Sequence, residues 1–518
     1  MDRNKGQECS GEKPKKGKTK KLSIDILLFT ISSFGTRFLS FFLVPFYTNF
    51  LSTEEYGTID LLVNTASLFL PIFTLCIYES VMRFTIEDKK NSEYFKAGWS
   101  VSLMGAVILA VGLVIFHLVV PNIISGASLI WIWMLFACNA VYNIFTSYMR
   151  ATDRVSVMVE ASLFNSVILL SMNIWLIAYV KIGINGYFIS TVTGLVVASL
   201  YMALRILLSK RHLKMDSAQS AEEPNADTSS PTSYQTNERH TWLAFGFSAN
   251  KSIISDMLKY CVPLIFTAIA WWINSSLDRY FVSGMMGVSA NGIYSVSYKI
   301  PNILTAFQTV FTQAWSISAV TAFDKDDKDG FMGHTYEMFA MLMIMACSGI
   351  MLINEPLSRI LYAKEFYEAT YYVPYILIAT LFSALAGYFG GIFAAVKDSK
   401  TCAASTIVSA AVNMVLNAVF IPLFGIAGAA VATMIAYFCS WLVRVVVARK
   451  YIKMKADTKK LYFAFILLLG QMLCACTKAH FYLIQVTIVA LLLVIFRRNI
   501  AEAWKKIFGQ VKKVVKRN

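Results

Sequence analysis

Charge is what this 518-residue sequence has least of. Asp, Glu, Lys and Arg make up only 15% of it, against 57% hydrophobic residues and a mean hydropathy of +0.57. A water-soluble chain of this size covers its surface with far more charge, so a soluble globular protein is excluded. Metal-ligand spacing is also missing. The nine cysteines are scattered, several inside apolar runs (Cys76, Cys138, Cys439), and Cys474 and Cys476 stand two apart. Neither a metal site nor a disulfide framework is expected. A nucleotide-binding loop is missing too: Gly17-Lys18-Thr19 ends like one, but Glu12 stands where its first glycine belongs and no strand precedes it. A cleavable leader is not expected either, because the first apolar region is too long and contains Arg37.

What the chain does have is apolar runs of about 20 residues, recurring from Leu22 to Phe496, each long enough to cross a ~30 Å hydrocarbon core as a helix. The expected fold is an all-α polytopic membrane protein of about 14 transmembrane helices. The spans fall near 22–50, 58–82, 97–119, 127–149, 156–179, 184–208, 258–282, 290–318, 332–353, 371–395, 401–421, 425–448, 461–478 and 481–497. The net charge of +16 does not indicate nucleic acid, because the lysines crowd the two tails and alternate loops. Arg150, Arg154, Lys210, Lys397, Lys400, Arg449 and Lys453 fall on one side, and few basic residues fall on the other. By the positive-inside rule both termini are cytoplasmic.

Domain boundaries follow. Residues 1–21 read as a basic tail, 22–209 as a first six-span lobe, 210–250 as a polar, Ser/Thr/Asn-rich linker, 251–450 as a second six-span lobe, 461–498 as two further spans, and 499–518 as a basic amphipathic tail lying on the inner leaflet. The two lobes repeat each other. Arg150-Ala-Thr-Asp153-Arg154 and Gly183-Ile-Asn-Gly186 have counterparts in Val396-Lys397-Asp398-Ser-Lys400 and Gly425-Ile-Ala-Gly428; Glu55-Tyr56-Gly57 opens one span as Asn291-Gly292-Ile293-Tyr294 opens another. Members of each pair are six spans apart, which makes the repeat parallel, a transporter architecture with its path between the lobes.

These landmarks, in this order, resemble the multidrug/oligosaccharidyl-lipid/polysaccharide exporter superfamily, and within it the polysaccharide (Wzx-type) flippases. The resemblance runs from Arg37-Phe-Leu-Ser-Phe-Phe-Leu-Val-Pro45 and Leu51-Ser-Thr-Glu-Glu-Tyr56-Gly57, through Leu277-Asp278-Arg279 and Gly292-Ile293-Tyr294 with Lys299, to Asn413, Asn417, Ile421-Pro422 and Gly425-Ile-Ala-Gly428, roughly residues 22–450. It implies two lobes around a central cavity and export of a lipid-linked oligosaccharide by alternating access in a bacterial cytoplasmic membrane. Partners would then be membrane lipids and downstream polysaccharide assembly proteins, with the oligomeric state left open and a monomer compatible with the reading. It implies no enzyme activity and no cofactor, with a coupling ion (H+ or Na+) left unidentified. A peptidoglycan-precursor flippase and a cation-coupled drug antiporter are the alternatives.

A polyprenyl pyrophosphate is a dense anion, and its passage calls for cations in a wet cavity. Arg37 and Lys299 lie deepest, with Lys299 about ten residues into its helix. Arg279 and Arg83 stand nearer span ends. Asp278 is a candidate counter-ion for Lys299 or Arg279, and Glu79, four residues before Arg83, is a candidate partner for it. Tyr294, Tyr298 and Asn302 form an i, i+4, i+8 stripe, with Asn274 near, suited to packing or to stacking on sugar. Pairs of carboxylates deep in the lobes, as a cationic drug would want, are not evident. Asp324-Lys-Asp326 and Asp327-Lys-Asp329 carry a D-x-D pattern, but their short loop leaves no room for a nucleotide-sugar domain.

Overall fold

A computed structural model describes residues 41–88, 92–121, 124–219, 250–454, 458–477 and 481–515. Arg37 and most of the first span lie outside them, as do the basic N-terminal tail and the linker from 220 to 249.

The described residues are helical, without strands. Helix α1 (Phe41–Phe50) leads into α2 (Thr53–Phe73) and α3 (Ile77–Glu87). Four long helices follow: α4 (Glu93–Val119), α5 (Gly126–Ala151), α6 (Val155–Asn173) and α7 (Gly183–Gln219). The second half comprises α8 (Lys251–Met286), α9 (Val288–Ser297), α10 (Pro301–Thr321), α11 (Phe331–Leu352), the short α12 (Asn354–Leu361), α13 (Val373–Ala395), α14 (Ser399–Phe424) and α15 (Ile426–Ala448), followed by α16 (Thr458–Ala475) and α17 (Tyr482–Val515).

Among the described residues eleven helices are long and apolar enough to cross a membrane. Three of the fourteen expected spans are not in that set. The first lies mostly outside the described residues, the thirteenth is the 18-residue α16, and the eighth is broken. The break falls at Tyr298–Ile300, because Pro301 has no N–H to offer Ser297 and instead opens α10 as its first residue. Lys299 therefore sits in a helix break, not inside a helix as its spacing suggested. The second span is also broken: Leu75 and Cys76 adopt left-handed backbone (φ 52° and 53°) between α2 and α3.

Two helices overrun their expected ends. Helix α7 continues to Gln219, into the segment assigned to the linker. Helix α17 runs unbroken for 34 residues, about 50 Å at 1.5 Å per residue, so the tail helix continues the last span instead of starting anew along a leaflet.

The internal repeat is visible in the backbone. Asp153 and Lys397 share a φ of 58°, and the residues after them close the same loop, Arg154 N–H to Met149 O at 2.9 Å and Asp398 N–H to Phe393 O at 2.8 Å. Gly183 and Gly425 open their helices at φ 50° and 61°. Within the first half α5 packs on α3, α4 and α7, and α6 on α7. Within the second, α15 packs on α13 and α14, α13 on α10, and α8 on α14. Helices α16 and α17 pair with each other and lean on α11. A stack of Phe311, Phe339, Trp315 and Tyr388 (ring centroids 3.8 Å for the first pair, 4.2 Å for the last) stiffens the second half, and Trp315 donates its indole N–H to Tyr388 O at 2.8 Å. Outward faces such as Val107, Val114 and Leu118 on α4 and Val415, Val419 and Leu423 on α14 are exposed and apolar, as lipid-facing surfaces are.

Candidate functional site: a polar seam between the halves

The halves meet where α2 crosses α9 and α8, and where α3 packs on α8. The crossing is set by two glycines that hold equivalent places in the repeat. A Cβ on Gly57 would lie 2.1 Å from Val288 O, and one on Gly292 would lie 1.9 Å from Thr53 O. Only residues without a side chain allow the two backbones this close. Asn291 donates to Gly57 O (3.1 Å) from within the crossing. Helix α2 starts there because Ser52 and Glu55 form a reciprocal capping box.

The loop carrying α12 covers this end. Thr48 Oγ1 donates to Leu361 O (2.9 Å), Lys364 Nζ to Asn49 O (2.7 Å), Tyr362 OH to Val296 O (3.1 Å), and Thr53 Oγ1 to Glu365 (3.0 Å). Thr53 Oγ1 and Ser289 Oγ are 2.6 Å apart. At the base of this loop Glu355 is bonded by Tyr482, Tyr367 and Arg359. Burial alone would raise its carboxyl, but those hydrogen bonds win and hold it below the usual range.

One turn below the glycine crossing lies a charged cluster. Arg279 of α8 reaches Asp60 of α2 (Nε to Oδ2, 3.0 Å) and Asp278 of its own helix (3.6 Å), with side chains 12%, 17% and 3% exposed. Its guanidinium lies 4.8 Å over the Tyr298 ring, and Nη1 donates to Ser275 O at 2.5 Å. The Nε–H does not point along the Asp60 contact, so that contact is ionic and not a hydrogen bond. Asp278 accepts from Tyr294 (2.5 Å), Tyr298 (2.9 Å) and Thr433 (3.3 Å). Asn413 bonds Thr433 (3.2 Å), and Asn417 bonds Asn413 (2.9 Å), which continues the network into α14 and α15. The Asn417 Oδ1 atom, fully buried, has no partner among the described residues. Asn274 accepts from Ser409 of α14 at 3.2 Å.

Lys299 is half-buried, one turn back along α2 from Asp60. Its ammonium lies 5.8 Å over the Tyr56 ring, and among the described residues no carboxylate comes within ion-pairing distance. Tyr47 sits between Tyr56 (6.3 Å) and Tyr187 (5.6 Å), so this cation faces an aromatic wall.

The arrangement gathers most of the residues singled out in the sequence and corrects several roles. Asp278 serves Arg279 and not Lys299. Tyr294 is fully buried with its hydroxyl committed to Asp278, so it cannot stack on a sugar. Asn302 is exposed on α10, beyond the break, and does not extend the tyrosine stripe. Arg83 pairs forward with Glu87 (2.8 Å), both more than half exposed, instead of back with Glu79, and lies away from the cluster. Arg444, near the inner end of α15, turns inward to Ser405 Oγ (2.8 Å) and Ala386 O (2.9 Å). The D-x-D loop is a turn scaffold: Asp327 caps α11 through Met332 N and Gly333 N, both at 2.9 Å. Arg37 lies outside the described residues. Asp60 and Tyr56 were missed. Asp60 stands one turn after Glu54-Glu55, where a third acid reads as an interfacial helix start. Tyr56 carries no charge to draw notice.

Residues 240–371 match the family model described as polysaccharide biosynthesis protein. A probable low-salt glycan biosynthesis flippase, Agl15, of Haloferax volcanii is 24% identical over 208 residues, 38% of this chain and 44% of that protein, so less than half of that relative is spanned. Among solved structures, the lipid II flippase MurJ in an inward closed conformation superposes with a TM-score of 0.62 at 17% identity, over 92% of this chain and 99% of MurJ. An inward-facing multidrug resistance MATE family transporter of the MOP superfamily gives 0.56 at 12%, over 82% and 97%. The fold is that of MurJ and MATE transporters, and the resemblance to the Wzx-type flippases stands. The protein is a multi-pass membrane protein, similar in sequence to a probable flippase and in fold to MurJ and a MATE family transporter.

Proposed function

We propose that the protein carries a polyprenyl-pyrophosphate-linked oligosaccharide from the inner to the outer leaflet of a bacterial cytoplasmic membrane by alternating access, for surface polysaccharide assembly. The observation that carries this reading is the pair of cations, Arg279 and Lys299, set against Asp60 and Tyr56, one turn apart on α2 at the seam of the halves. On the positive-inside orientation, the glycine crossing and the α12 loop lie at the outer face and close it.

The mechanism follows from what holds Arg279. Its charge is balanced by Asp60 across the seam and by Asp278 on its own helix. A pyrophosphate entering from the inner side offers a denser anion, with oxygens that fit the guanidinium fork. It displaces Asp60, whose contact is ionic and poorly aligned, while Asp278 stays in its hydroxyl cage. Loss of the cross-seam pair frees α2 from α8, so substrate binding and parting of the halves become one event. Lys299, which has no carboxylate within ion-pairing distance among the described residues, receives the second phosphate. The coupling ion, H+ or Na+, is left unassigned, since Asp60 and Asp278 both serve Arg279.

The alternatives share parts of this logic. A peptidoglycan-precursor lipid presents the same anion, and the fold of MurJ favours keeping that reading. A drug antiporter would need a deep carboxylate free to receive a cation, and among the described residues the deep acids of the seam, Asp60 and Asp278, serve Arg279. The test is translocation in proteoliposomes, with lipid-linked oligosaccharide, peptidoglycan-precursor lipid or an organic cation as cargo. Wild type is compared with Lys299→Ala, Arg279→Ala and Arg37→Ala at equal insertion. Oligosaccharide movement lost in the variants supports the cationic seam. Movement unchanged in them rejects the site. Transport of organic cations alone rejects the flippase.

A further inference from the structure

A second site lies away from the seam, at the opposite end of the second half. Helices α11, α13, α15 and α16 enclose a cavity of about 270 Å³. Its deep wall is aromatic: Tyr336, Phe389, Trp441 and Phe465. Trp441 donates its indole N–H to the Tyr336 hydroxyl at 3.1 Å, which spends the wall's main donor and leaves the interior apolar. The charged residues lining the cavity are Arg449 and Lys453, both exposed, where α15 ends. Arg449 has no ion-pair partner among the described residues, and the exposed Lys453 ammonium stands 3.9 Å from the exposed Asp326.

We infer that this cavity binds an anionic phospholipid, with its head phosphate on Arg449 and Lys453 and part of one acyl chain inside. Three features on the molecule select this occupant. The volume is just below the ~300–1,000 Å³ of small-molecule pockets, which suits a chain segment and not a whole lipid or a sugar. The polarity is graded, apolar at depth and cationic at the mouth, as a lipid is graded in reverse. The mouth lies at the end where Arg449, Lys450, Lys453, Lys459 and Lys460 gather, the side assigned to the anionic inner leaflet, and basic pockets between transmembrane helices on that side hold lipid head groups. Arg449 is also the C-cap residue of α15, a position where the helix dipole favours a cation. Because α16 forms one wall and also bonds α11 through Gln471 and Ser348 (2.6 Å), a bound chain would tie the terminal helix pair to the second half.

Native mass spectrometry of the full-length protein in detergent with added phosphatidylglycerol, phosphatidylcholine of matched chains, or polyprenyl phosphate tests this. Two variants are compared: Arg449→Glu, an exposed change that leaves the core alone, and Val445→Phe, which fills the cavity without touching its charge. Expected is one phosphatidylglycerol retained by wild type in preference to phosphatidylcholine, with at least tenfold weaker retention in each variant and no change in retention for a control substitution at the exposed Lys259. Equal retention of both lipids, or retention unmoved by both variants, overturns the proposal. Selective retention of polyprenyl phosphate over phosphatidylglycerol overturns it as well, in favour of a carrier-lipid site.

Discussion

Replacing Gly292 with alanine should open the end of the molecule that α2 and α9 close. The new methyl would start 1.9 Å from Thr53 O, where ordinary contact begins at 3.4 Å. The obstacle is backbone, so no side chain can swing aside, and the helices must part by about 1.5 Å. A gap of that size forfeits more than half of the dispersion energy between the facing atoms. Overpacking of this kind costs about 1–3 kcal/mol. The Asn291 bond to Gly57 O, at 3.1 Å, is lost with it, about 1 kcal/mol more. A penalty of about 3 kcal/mol on the closed seam lowers its population relative to the parted form about a hundredfold. The assay uses the 2.6 Å approach of Thr53 and Ser289. With the nine native cysteines replaced, Thr53→Cys with Ser289→Cys should oxidise readily to a cross-link, since the side chains lie within bridging range. Adding Gly292→Ala should slow cross-linking by about that hundredfold, at unchanged insertion. Cross-linking at the original rate in a folded Gly292→Ala protein would refute the idea that glycine contact holds the seam shut.

Other substitutions separate the roles within the cluster. Asp278→Ala strands three hydroxyl donors and unbalances Arg279, and should destabilise the protein by about 3–5 kcal/mol in a thermal melt; Asp60→Asn, which leaves Asp278 beside Arg279, should cost less and instead raise cysteine accessibility at the seam. Gln471→Leu should lower stability by about 1 kcal/mol, the scale of a hydrogen bond between membrane helices, measured by thermal unfolding in detergent. Asp398, whose carboxyl is held below its ordinary 3.8 by hydrogen bonds from the Thr401 hydroxyl, Tyr451 and the Thr401 N–H, contributes stability that is present above that value and lost as pH falls through the lowered one. Wild type should therefore out-melt Asp398→Asn near neutral pH, and the difference should shrink below pH 3.8.

How much of this was legible in the chain depended on charge contrast. Arg279, Asp278 and Lys299 stood out because a charge in an apolar run is costly and must be answered. Their answers did not stand out. Asp60 lies in a stretch already acidic, and its partner is more than two hundred residues away. Tyr56 answers Lys299 with a ring face, which leaves no mark in a hydropathy profile. The repeat was legible because its loops need particular backbone at particular places, and Asp153 and Lys397 show the same left-handed turn. The break at Leu75–Cys76 was not, since neither residue favours such backbone and the packing around α8 imposes it. The break at Tyr298–Ile300 could have been placed from Pro301. The lipid cavity was beyond reach, because four helices from separate parts of the chain make its walls.

The meeting of Gly57 with Gly292 has a kinship with dimers. At this crossing each half presents an equivalent glycine to the other, as in an isologous contact between two identical subunits. Here the subunits are fused, so parting them sets nothing free into solution and costs no encounter to reverse. A contact that would be too weak to hold two separate chains together is then strong enough to define a closed state and weak enough to be undone in every cycle. The Arg279–Asp60 bridge breaks that likeness: it carries opposite charges on the two sides, and an incoming anion can compete for only one of them. A near-symmetric hinge with one asymmetric bolt gives a duplicated fold a direction that duplication alone could not supply.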